Sequence, residues 1–134
     1  MSEARGSLVR RYLDAYNRGA LDELDALVTA DYVHHNNAQA LTHAEFKDGA
    51  RWMRRAMPDF AIEVADLLME GDKGAVRWIG RGTHVGSMFG EAATGATLVA
   101  YGATVYRFEG DRIAEDWETM DEADLRRQAG ALAG

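Results

Sequence analysis

Cysteine is absent from this 134-residue chain, which removes disulfides, thiolate metal sites, a cysteine nucleophile and any redox chemistry carried by the chain itself. Proline occurs once, at Pro58, and there is no low-complexity tract, internal repeat or linker. Positive charge is scarce: 15 basic residues face 22 acidic ones, a formal −7, and no basic run is longer than Arg10-Arg11, Arg54-Arg55 or Arg126-Arg127. Nucleic acid and anionic membranes are therefore disfavoured as partners. No apolar window approaches the length of a membrane span, and Met1-Ser2-Glu3-Ala4-Arg5-Gly6 lacks an apolar signal core, so the expectation is a cytoplasmic protein.

What is present is enough apolar residue, 47% of the chain, to build one core, and the length suits a single domain over residues 1–134. Leu8, Val9, Tyr12, Leu13 and Tyr16 lie at helical spacing, with Gly19 placed to end that helix. Leu21, Leu24, Leu27 and Val28 make a short amphipathic helix, after which Tyr32 to Asn37 reads as a short strand or loop. Thr42-His43-Ala44-Glu45 has the spacing of a capping box, and Phe46, Ala50, Met53 and Met57 form the stripe of a helix that Pro58 ends.

From Phe60 onward the period shortens to two. Phe60, Ile62 and Val64 alternate with Ala61, Glu63 and Ala65, and Gly71-Asp72-Lys73-Gly74 supplies a turn. Strands follow at Ala75 to His84, Thr97 to Phe108 and Arg112 to Met120, with Glu109-Gly110-Asp111 as a tight connection. Asp121 is placed to cap a last helix with Leu125, Ala129 and Leu132 inward. Helices first and mostly antiparallel strands after them argue an α+β fold with helices on one face of a bent sheet.

Ile113 to Met120 carries carboxylates where a buried sheet face should be apolar. Side chains alternate along a strand, so Asp116, Glu118 and Met120 share one face while Ile113, Glu115, Trp117 and Thr119 share the other. Covering either face buries an acid. A desolvated carboxylate has a raised pKa and serves as a general acid or base, which makes Glu118 the candidate base. Its alternative is a solvated or ion-paired group with Arg77, Arg81 or Arg107. Asp116, roughly 6–7 Å away along the strand, can push the pKa of Glu118 apart from its own, or else faces solvent at a pocket mouth.

His34 and His35 suit proton transfer or orientation of a carbonyl, since imidazole titrates near neutrality; structural hydrogen bonding is the alternative for both. His84 lies beside Gly82 and Gly86, where backbone can approach a ligand closely. Trp52, Trp78, Met53, Met88, Tyr106 and Thr104 are candidates to line a pocket. Adjacent histidines point opposite ways in extended chain, and no carboxylate accompanies them at helical ligand spacing, so no metal site is expected.

The segments Gly82-Thr83-His84-Val85-Gly86, Gly90, Thr94-Gly95, Tyr106 to Ile113, and then Glu115, Trp117, Glu118 and Asp121 resemble the SnoaL-like polyketide cyclases, as do Tyr12 to Gly19 and Tyr32 to Asn36. That resemblance implies a cone-shaped α+β barrel of the nuclear-transport-factor-like superfamily, a curved antiparallel sheet wrapped around N-terminal helices with a deep pocket. It implies aldol-type ring closure of a hydrophobic, aromatic polyketide-like carbonyl substrate with no metal or organic cofactor. The catalytic acid on the last strand falls at Glu118, where those cyclases carry aspartate, and their partner histidine falls at Thr104. The family pattern favours His35 over His34. It also implies a homodimer through the sheet, with Ile79, Tyr101, Ala103, Val105 and Trp117 on the covered face. The chemistry so implied is carbanion chemistry of lyase or isomerase type, with His35 or Tyr106 stabilising the enolate. A non-catalytic small-molecule-binding or accessory domain is the alternative, and acid-activated hydrolysis of an epoxide ranks below both.

Overall fold

A computed structural model of the chain describes residues 2–130. The N-terminal amphipathic stripe forms α1 (Ser2–Asn17), which buries Leu8, Val9, Tyr12, Leu13 and Tyr16. Gly19 takes a positive φ of 74°, the left-handed turn that ends a helix and that glycine adopts without a Cβ clash. The next segment is a 3-10 helix (Leu21–Leu27) rather than an α-helix. Its seven residues sink Leu21 and Leu24 into the core.

The chain then enters β1 (Val28–Asn36), turns at Asn37, whose φ is 55°, and returns as β2 (Gln39–Thr42). Thr42 closes the expected capping box with Glu45 at the start of α2 (His43–Ala56). Four strands follow: β3 (Ala61–Glu70), β4 (Lys73–Thr83), β5 (Thr97–Glu109) and β6 (Arg112–Met120). Asp121 caps α3 (Glu122–Gln128) by accepting from the Asp124 backbone N–H, and Leu125 and Ala129 point inward. Leu132, expected on the same stripe, lies outside the described residues.

The six strands form one sheet in the order β2-β1-β6-β5-β4-β3. It is mixed rather than antiparallel throughout, because β1 runs parallel to β6. A register shift between Val28 and Val33 lets β1 bend along its neighbour. α1 packs across β3, and α2 closes over β1 and β2, so the helices sit inside the curve and the other face of the sheet is convex.

Glycines on the concave face make room for rings. A Cβ on Gly80 would overlap Phe60, and one on Gly102 would overlap the indole of Trp78. On the convex face Tyr101, Val105 and Trp117 are 53%, 40% and 36% exposed, as the alternation requires. No helix among the described residues is long and apolar enough to cross a membrane.

Candidate active site

Strand register builds the site. Asp116 on β6 is flanked by His34 on β1 and Tyr106 on β5; two residues on, Glu118 is flanked by Asn36 and Thr104. Met120 and Gly102 form the third row, with Trp78 of β4 beyond them. Because every second residue of a strand faces the same way, these rows all look into the cone. Tyr16 of α1 and Phe46 and Met53 of α2 close the opposite side.

The resulting cavity has an outer chamber of about 380 Å³, lined among others by Tyr16, His34, Trp52, Met53, Trp78 and Glu118. Behind it an inner recess of about 50 Å³ is walled by Tyr12, His34, Thr104, Tyr106, Asp116 and Glu118. Apolar and aromatic walls around a few polar groups are the usual composition of a small-molecule site.

Asp116 lies in the floor with its side chain buried. One carboxylate oxygen accepts from the Tyr32 hydroxyl, and the other lies 2.5 Å from His34 Nδ1. This corrects the solvent-facing reading of Asp116: Tyr32 and the end of β1 cover it. Donation from Nδ1 to Asp116 fixes the ring and leaves Nε2 open to the cavity. Burial by itself lowers the His34 pKa, but the hydrogen bond and charge of Asp116, with the charge of Glu118, outweigh it and the net shift is upward.

Among the described residues no arginine pairs with Glu118. Arg77 pairs with Asp66, Arg81 with Glu63, and Arg107 with Glu109 and Glu115, all outside the cavity. Desolvation raises the Glu118 pKa, the positive charge of His34 opposes that, and Asp116 adds to it, for a net rise. A carboxylate poised in this way can hold or release a proton nearer neutrality. Burial also raises the hydroxyl pKa values of Tyr12 and Tyr106, with the charge of Asp116 adding to the rise in both, so both stay protonated and can donate hydrogen bonds.

Other sequence candidates divide. Trp78 donates its indole N–H to Thr104 Oγ1 at 3.0 Å, which places both in the wall, and Trp52 and Met53 line the outer chamber. His35 does not reach the site. The alternation that aims His34 inward aims His35 outward, where it stacks on Trp117 with ring centroids 5.3 Å apart and meets Glu115 at 2.6 Å. Met88 is buried in the core and is absent from both linings.

His84 is also buried away from the cavity, its Nδ1 accepting from the Thr94 backbone N–H at 3.2 Å. The close backbone approach signalled by its glycines is to the chain itself: a Cβ on Gly82 would meet Met57, and one on Gly86 the carbonyl of Arg55. Tyr32 and Tyr16 belong to the site and were not picked out from the sequence. The burial of Tyr16 on the α1 stripe was the available signal, and Tyr32 had none beyond its two-residue spacing from His34. No group of three or more His, Asp and Glu side chains among the described residues could hold a metal ion.

Compared with known proteins, residues 6–129 match the family model for SnoaL-like polyketide cyclases. TsrD from Streptomyces laurentii is 29% identical, superposes with a TM-score of 0.86 and covers 98% of each chain. A protein from Acidithiobacillus ferrooxidans, described as a candidate polyketide cyclase, is 25% identical with a TM-score of 0.83, covering 98% of this chain and 97% of that one. AclR from Streptomyces galilaeus, described as a candidate hydroxylase, is 24% identical with a TM-score of 0.93 over 100% of this chain and 85% of that one; at that identity the likeness is one of fold. No curated protein matches by sequence.

Proposed function

The chain belongs to the SnoaL-like polyketide cyclase family, and on that premise we propose that it is a cofactor-independent acid/base enzyme acting on a hydrophobic, polyketide-like carbonyl compound. The observation that carries the reading is Glu118, a cavity carboxylate with raised pKa and no arginine partner among the described residues, facing the same space as the His34–Asp116 pair.

In this mechanism the Glu118 carboxylate removes a proton from the carbon beside a carbonyl. The electron pair moves onto the carbonyl oxygen, where Nε2–H of protonated His34 donates to the developing charge, with Asp116 stabilising the imidazolium. The carbanion carbon then attacks a second carbonyl carbon of the same molecule, forming the C–C bond. The new alkoxide takes back the proton held by Glu118, directly or by relay through His34, so the product has the substrate's formula and both groups return to their starting protonation states. His34 fills the electrophilic role expected of His35 or Tyr106, and Thr104 accepts from the indole of Trp78 at the position where the family resemblance implies a histidine.

The test follows proton removal alone. 2-Acetylnaphthalene is flat and apolar and exchanges its methyl protons slowly in D₂O, which NMR reads directly. We expect the protein to accelerate exchange and Glu118→Gln to lose roughly 10²–10⁴-fold of that acceleration. Binding of the ketone without accelerated exchange, or equal exchange by both proteins, overturns the enzyme in favour of a binding domain.

We also propose that a second copy covers the convex face around Tyr101, Val105 and Trp117. Trp117→Glu should then shift the sedimentation coefficient from dimer to monomer, and a wild-type monomer refutes the proposal.

A further inference from the structure

Phe89 occupies a backbone conformation that its side chain disfavours. Met88-Phe89-Gly90-Glu91 is a tight turn closed by Met88 N–H to Glu91 C=O at 3.0 Å and Glu91 N–H to Met88 C=O at 2.9 Å. Its two central residues have φ of 54° and 78°. Successive left-handed residues make the turn of type I′, whose central positions favour asparagine, aspartate or glycine. Phenylalanine at the first of them is opposed by local preference, so its retention asks for a reason elsewhere.

That reason lies at the cavity mouth. The Phe89 ring packs 5.4 Å from that of Trp52, and the Arg126 guanidinium lies over it, 4.3 Å from the ring centroid. All three residues line the outer chamber. Among the described residues Arg126 is the sole arginine or lysine in that lining. Its Nε meets Glu122 at 3.4 Å, while no hydrogen bond or ion pair among the described residues uses Nη1 or Nη2. Glu45, another carboxylate at the mouth, is engaged by the Thr42 backbone N–H at 2.9 Å.

The opposite end of the cavity holds Asp116 and Glu118. An anionic group is repelled from that floor, and at the mouth, where Glu45 and Glu122 also stand, the open Nη edge of Arg126 is the group that would hold it. A guanidinium held flat on an aromatic ring keeps its outer edge available for a two-pronged contact with a carboxylate.

We propose that the substrate is a flat aromatic carboxylate whose anionic end is held by Arg126 on the Phe89–Trp52 shelf, while its neutral carbonyl end reaches Glu118 and His34. This rests on the small-molecule reading of the cavity given above, and it adds the substrate's charge and direction of entry.

Calorimetric titration with anthraquinone-2-carboxylate and its uncharged analogue anthraquinone-2-carboxamide tests it. Wild type should bind the carboxylate about tenfold more tightly or better, with the preference shrinking as salt is added. Arg126→Met, which keeps an apolar stem on the ring, should bring the ratio to near one and leave amide affinity within roughly threefold. Phe89→Asn should raise the unfolding midpoint, because the turn then has a preferred residue, and should weaken carboxylate preference as the shelf is lost. Equal binding of the two probes to wild type, or an undiminished preference in Arg126→Met, overturns the proposal and leaves the cavity reading standing. Binding of neither probe overturns both.

Discussion

Asp116→Asn puts the floor of the cavity to a quantitative test. Both oxygens of the buried carboxylate accept hydrogen bonds, one from Tyr32 and one from His34 Nδ1. Asparagine has the same shape but one acceptor, so one of the two donors must face an NH₂ group. A hydrogen bond to a charged group contributes about 1.5–3 kcal/mol, and stripping a buried charge pair of one member costs about 3–5 kcal/mol when nothing replaces it. Since the introduced amide would keep one bond and both neighbours can reorient, we expect a loss of about 2–4 kcal/mol, or roughly 6–15 °C in Tm for a chain of this length.

The pH dependence carries the sign. The folded-state pKa of His34 is raised above 6.5, so its contribution to stability is fully present below that value and lost as pH rises through the folded pKa. In the variant the groups that raise it are reduced and burial dominates, so acidification should weaken rather than strengthen the fold. Urea unfolding of both proteins between pH 5.5 and 8.5 should show the gap widening toward acid. A variant as stable as wild type, or a gap that narrows toward pH 5.5, refutes the pairing of Asp116 with His34.

Glu118→Gln should move stability the other way. The folded pKa of Glu118 lies above 4.5, so ionising it opposes folding; the variant should match wild type below about pH 4.5 and become more stable as pH rises, by about 1.4 kcal/mol for each unit of the shift. Equal stability at pH 7.5 would mean that the carboxylate is well solvated. His34→Gln should abolish most of the proton-exchange activity while His35→Gln leaves it within about threefold, since His35 faces away from the cavity, stacked on Trp117 and paired with Glu115; the reverse ranking would restore His35 to the site. Gly102→Ala places a methyl group on the Trp78 indole and should cost about 1–3 kcal/mol by overpacking, with a shift in tryptophan emission. An unchanged melting curve and spectrum would show that the wall yields.

Local chemistry was the legible part of this fold. The capping box at Thr42, the break at Pro58, the turn at Gly110 and the alternation of β5 and β6 each depend on neighbours in sequence, and each is where the pattern puts it. Pairing order depends on distant contacts instead. Nothing in Val28 to Asn36 announces a parallel partner in β6, far along the chain, and the four-residue β2 is too short to show a period. The same limit explains the histidines. Alternation states that His34 and His35 face opposite ways, but which of them faces inward is set by where α2 and β6 dock, and Tyr32, two residues from His34, is the side chain those contacts bury.

The site itself is a consequence of two neighbouring rows having different neighbours. Asp116 and Glu118 are the same functional group two residues apart, yet one is saturated by two donors and the other opens on a cavity with none from an arginine. Burial, with a smaller addition from the charge of Asp116 and against the charge of His34, raises the cost of ionising Glu118, while His34, held by Asp116, gains a proton more readily than a free imidazole. A base that would rather be neutral and an imidazole that would rather be charged, facing one apolar space, favour proton transfer between ligand and protein in both directions. In the proposed mechanism Asp116, whose two oxygens are taken by Tyr32 and His34, acts through His34 as a positioning residue and needs no contact with the substrate. Glu118 touches the substrate in that mechanism, and its raised pKa marks a cost in stability that the Gln variant should recover.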